Sequence, residues 1–88
     1  MTRQEIVAKL EIPEGTNYPT VDFSDVDGNI FCIIAVVSKA WRNVDRDVAG
    51  KISDVINENC ESYDSALAVL TSICKVTFED GESEEDYD

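Results

Sequence analysis

The chain has 88 residues and a mass of 9.8 kDa, which bounds it to one domain burying roughly 60–65% of its unfolded surface. Hydrophobic residues at 43% and charged residues at 30% fit an ordinary globular domain better than a disordered chain. Nineteen acids face seven bases with no histidine, a net charge of −12, which disfavours nucleic acid and anionic membrane as partners and favours basic protein surfaces or cations.

Residues 4–12 alternate imperfectly, with Ile6, Ala8, Leu10 and Ile12 on one side. This fits a half-buried strand or one turn of helix, ended by Pro13-Glu14-Gly15. Gly15 to Pro19 reads as loop, and Thr20 to Ser24 as a short strand with Val21 and Phe23 on one face. Asp25 to Asn29 is turn chemistry, and Asp27 or Asn29 suits a helix N-cap. The helix that follows is expected over 29–43. Ile30, Ile34, Val37, Trp41 and Val44 share one face, widened by Phe31, Ile33 and Ala40. So apolar a helix is expected to lie between other elements.

Asp47 is a suitable cap for a second helix over 48–59, burying Val48, Ile52, Val55 and Ile56. Ser62 or Asp64 suits as cap for a third over 63–74, with Tyr63, Ala66, Leu67, Leu70, Ile73 and Cys74 inward. Lys75 to Phe78 alternates as a short edge strand does. The predicted fold is α+β and helix-dominated: a compact three-helix core with two or three short strands from the termini, in the order β–α–α–α–β. One globular domain is expected over 1–78, followed by an acidic tail over 79–88. That tail carries seven acids and no base, so the remainder has a net charge of only −5.

Asp27-Gly28-Asn29-Ile30-Phe31, Val37-Ser38-Lys39-Ala40 and Cys60-Glu61-Ser62-Tyr63-Asp64-Ser65-Ala66-Leu67 carry a family resemblance. Together they resemble a widespread set of small phage and prophage proteins. Those proteins open on Asp-Gly-Asn, an apolar residue and Phe, and later carry a Tyr-Asp segment. The likeness covers about residues 22–76, with the second segment compressed here to Ser62-Tyr63-Asp64. It implies a mobile genetic element as origin and a compact helical fold. It brings no catalytic residues.

The residues themselves point away from catalysis. Histidine, the commonest general base, is absent. Cys32, Cys60 and Cys74 are odd in number, widely spaced and beside apolar faces, which argues against a disulfide framework or zinc site and for small buried hydrophobes. Asp25-x-Asp27-Gly28 imitates the middle of a calcium loop, but the first and last ligand positions fall on Phe23 and Ile34. No metal or cofactor is therefore expected. No apolar run is long enough to cross a bilayer, and Met1 to Glu5 does not read as a secretory signal, so a soluble cytoplasmic protein is expected.

Two surfaces stand out as candidates. Lys39, Trp41 and Arg42 on the first long helix suit an interface, with a homodimer among the partners considered, or a ligand site. Glu79, Asp80, Glu82, Glu84, Glu85, Asp86 and Asp88 suit the basic surface of a host or defence protein, as mimics of nucleic-acid phosphates. The expected function is inhibition of a nucleic-acid-binding protein by protein–protein contact, without direct nucleic-acid or membrane binding. The alternatives are sequestration of a signalling nucleotide, with Tyr63 joining Lys39, Trp41 and Arg42, and a structural, oligomeric phage component.

Overall fold

Among the described residues, each helix begins at a short polar side chain that caps it. A computed structural model describes residues 2–24, 26 and 28–78; the tail carboxylates from Glu79 to Asp88, and Asp25 and Asp27 of the turn, lie outside the described residues. Thr2 caps α1 (Arg3–Ala8) in a reciprocal box: its hydroxyl accepts from the Glu5 N–H at 3.2 Å, and Glu5 accepts from the Thr2 N–H at 2.7 Å. Asn29 caps α2 (Ile30–Arg42), accepting from the Phe31 N–H at 2.8 Å. Asp45 caps α3 (Arg46–Asn59), accepting from the N–H groups of Asp47 and Val48. Ser62 caps α4 (Tyr63–Ser72), accepting from the Ser65 N–H at 3.1 Å.

The chain is helix-dominated α+β, with two three-residue strands. β1 (Thr20–Asp22) pairs in parallel with β2 (Lys75–Thr77), Val21 opposite Val76. Flanking bonds from Phe23 N–H to Thr77 and from Lys75 N–H to Pro19 extend the ladder at both ends. Parallel strands need a long crossover, and here it contains α2, α3 and α4.

The expected order is corrected at the N-terminus. A fourth helix, α1, precedes β1, because Ile6 and Leu10 are buried at helical spacing while Ala8, between them, is exposed. The second long helix starts at Arg46 and not Val48, because Asp45 and not Asp47 is its cap.

One core joins the helices and β1: Ile6 and Leu10, Val21 of β1, Ile33, Ile34, Val37 and Trp41 of α2, Val48, Ile52 and Ile56 of α3, and Val69, Leu70 and Ile73 beside them. Trp41 is 0% exposed, and its Nε1–H donates to the Ile73 carbonyl at 2.9 Å. Tyr18 lies against the indole with ring centroids 5.7 Å apart. Trp41 is thus a core residue, which corrects its candidacy as a surface anchor. Val44, expected on the buried face, is 41% exposed, because α2 ends before it. Cys32 is exposed as well, whereas Cys74 is buried and its thiol is pushed up by desolvation.

α1 is held at its far end by Lys51. The ammonium pairs with Glu11 at 2.8 Å and reaches the Leu10 carbonyl at 3.4 Å. Glu11 has a φ of +56°, the left-handed conformation that closes a helix C-terminus, here without glycine. The Lys51 hydrogen bond and charge hold the Glu11 carboxyl below its ordinary value of 4.5. The Thr2 N–H and hydroxyl do the same for Glu5.

Replacing Trp41 by Phe leaves the Ile73 carbonyl buried without its donor and opens a void, so a loss of about 2–4 kcal/mol is expected in urea unfolding followed by circular dichroism. Because the folded pKa of Glu11 lies below its unfolded one, its contribution is present above pH 4.5 and is lost as pH falls through the folded value. Lys51→Met should therefore make the fall in melting temperature below pH 4.5 shallower than in the wild type, while the Glu5 contribution persists.

Candidate functional site

Two aromatic side chains that helical periodicity assigns to the interior are outside it. Phe31 is 69% exposed and Tyr63 is 45% exposed. Phe31 is the second residue of α2 and Tyr63 the first of α4, so each follows directly on a capped helix start. On α2 the inward stripe is Ile33, Ile34, Val37 and Trp41. Phe31 falls on its flank, in line with exposed Ala35, Lys39 and Arg42.

Both aromatics line one groove of about 240 Å³. Ile34, Ile56 and Ala66 form its buried floor, with Ile30 and Cys60 half-buried beside them. Asn57, Glu61 and Ser62 supply the polar part of its rim. The start of α2, from Ile30, and the segment from Cys60 to Ala66 therefore meet in space. A Cβ placed on Gly28 would lie 3.9 Å from the Tyr63 hydroxyl.

The electrostatics of the two ends of the bundle differ. α2 and α4 run in the same direction: their starts meet at the groove, and their ends meet where Trp41 reaches Ile73. α3 runs against both. At the groove end stand Glu58, Glu61 and Asp64, all exposed, and no base occurs from Ile52 to Cys74. At the other end Lys39 and Arg42 occupy the last turn of α2, where the helix dipole favours cations, and Arg46 follows across the junction. Asp45 and Asp47 sit in that same junction, so the bases there are interspersed with acids.

The residues offered as a nucleotide site are not brought together. Lys39 and Arg42 are exposed at one end of α2, a helix of 13 residues spanning about 20 Å; Trp41 is buried; and Tyr63 lies at the opposite end. The groove itself is lined by one carboxylate and no cation, the wrong sign for an anionic ligand. Among the described residues, no group of three or more His, Cys, Asp or Glu is placed to hold a metal ion, and no helix is long and apolar enough to cross a membrane. No family model matches the chain, and neither a curated protein nor a solved structure matches it.

The signal for this groove was present in the sequence as an excess. α2 carries more apolar residues than one buried stripe can use, and the surplus on one flank is Phe31 and Ala35. Phe31→Ser should leave stability within about 0.5 kcal/mol of wild type, as a surface change does, while Ile34→Ala on the groove floor should cost about 2–4 kcal/mol in the same denaturant titration.

Proposed function

We propose that this chain is a binding protein, not an enzyme, and that it acts by covering a basic protein surface. In its most concrete form it is a phage-encoded inhibitor of a host or defence nucleic-acid-binding protein in the host cytoplasm. Its carboxylates take the place that nucleic-acid phosphates otherwise occupy on the partner. The observation that carries this reading is the uncompensated negative charge. The chain has a net charge of −12, and among the described residues one ion pair is formed, Lys51 with Glu11. Most of the described carboxylates, Asp47, Asp54, Glu58, Glu61 and Asp64 among them, are exposed to solvent. Ten residues at the C-terminal end, 79–88, add seven more acids.

A field of one sign steers a partner of the opposite sign and raises its association rate. It also makes binding fall with salt, because the Debye length shrinks from about 10 Å at 0.1 M to about 3 Å at 1 M. The resemblance to small phage and prophage proteins supports the origin assigned here, and the absence of histidine supports binding over acid–base chemistry.

Affinity capture from a host lysate at low salt, repeated at high salt and with duplex DNA as competitor, tests the proposal. The captured protein should be a basic nucleic-acid binder, released both by salt and by DNA. Replacing all seven acids of 79–88 by their amides should weaken capture at least tenfold and flatten its salt dependence. Capture indifferent to salt and DNA would sink the proposal; capture unchanged by the amide replacements would remove the tail from it.

A further inference from the structure

We infer that the groove between the starts of α2 and α4 is an anchor pocket for one large apolar side chain presented by a basic amphipathic helix of the partner protein. The inference rests on the reading of this chain as a binder of basic proteins and adds where the contact is fixed. The groove's size, about 240 Å³, and its apolar floor of Ile34, Ile56 and Ala66 suit one bulky aliphatic or aromatic side chain. Phe31 and Tyr63 stand at its mouth as exposed aromatic walls. The caps at Asn29 and Ser62 fix the helix starts from which both rings project, so the backbone that carries them is ordered before binding.

The sign of the occupant follows from charge. Glu61 lines the groove, Glu58 and Asp64 flank it in sequence, no base lines it, and the bases nearest to its lining residues along the chain are Lys39, Lys51 and Lys75. A segment carrying Lys or Arg around its apolar residue meets complementary charge there. A second copy of this chain does not. A two-fold contact places the same patch against itself, and here that would set two patches carrying Glu58, Glu61 and Asp64 against each other. Nucleotides and nucleic acid are excluded by the same sign.

Three synthetic helical peptides of equal length test the inference against the full chain: Lys-rich with a Leu stripe at i, i+3, i+4 and i+7, Lys-rich with Ser in the stripe, and Glu-rich with the Leu stripe. Affinity is measured by calorimetry and the site by amide chemical shifts. The Lys/Leu peptide should bind at least tenfold tighter than either control and shift the amides of Phe31, Tyr63 and Ala66. Phe31→Ser should weaken it about tenfold with the melting temperature unchanged, and the Glu58→Gln, Glu61→Gln double variant should weaken it several-fold at low salt. Equal binding of the Lys/Ser peptide, equal binding of the Glu/Leu peptide, or an unchanged affinity in Phe31→Ser would each overturn the inference. So would concentration-dependent shifts of those amides without peptide, which would assign the groove to a second copy. The two readings fail separately. If amide replacement over 79–88 abolishes Lys/Ser binding while Phe31→Ser changes nothing, the groove is wrong and the acidic surface stands. If Lys/Leu binding survives the amide replacements and is lost in Phe31→Ser, the groove stands without the tail.

Discussion

The buried hydrogen bond from Trp41 to the Ile73 carbonyl decides where both ends of the crossover lie. β2 must return beside β1 in the same direction, so the last helix of the crossover must deliver the chain at the correct end of the bundle. Trp41 receives that delivery: its N–H satisfies the carbonyl at the α4 exit, and β2 begins two residues later. The exits of α2 and α4 meet there, and their starts meet at the opposite end. The groove is the space left between those two starts and the last turn of α3. The interior and the candidate surface are two consequences of one topological requirement.

A domain of this size has little burial to spare. Leaving Phe31 largely and Tyr63 about half in solvent forgoes part of the roughly 1.5–3 kcal/mol that full burial of a large apolar side chain supplies. Exposed acids along α3 and α4 repel one another as well, and Glu58 stands in the last turn of α3, where a negative charge opposes the helix dipole. What offsets this is local. Each of the four helices has a side-chain cap, α1 has a reciprocal one, and Lys51 closes α1 from outside. Strong helix starts allow a small core to tolerate a surface that is not optimised for folding.

Much of the fold was legible because α3 and the second half of α4 follow the helical period closely. Val48, Ile52, Val55 and Ile56 are buried as their spacing requires, and so are Ala66, Leu70, Ile73 and Cys74. The strands were legible from β-branched residues between turn signals. α1 stayed open between strand and helix, since Ile6, Ala8, Leu10 and Ile12 satisfy a period of two as well as Ile6 and Leu10 satisfy a period near four. Trp41 was ambiguous because amphipathic position alone does not reveal that Ile73 supplies a buried acceptor 32 residues away. Phe31 and Tyr63 were assigned inward for a different reason. Periodicity states which face a residue occupies but not whether a neighbour extends far enough to cover it, and at the start of a helix it often does not. The parallel arrangement of α2 and α4, which leaves both rings at one open end, is long-range information absent from any local pattern.

Charge and the groove address different parts of recognition. A diffuse negative field draws any basic protein and confers little discrimination, because most of its strength is long-range and screened. A single shaped apolar pocket is the reverse: short-ranged, insensitive to salt, and selective for a side chain in one place. The groove carries its own carboxylate, Glu61, at the rim, so the two effects overlap in space at this end of the bundle and nowhere near Lys39 and Arg42. On the proposed reading, a basic segment would meet both effects together at this end. At the far end Lys39, Arg42 and Arg46 offset the local negative charge, with Asp45 and Asp47 between and beside them.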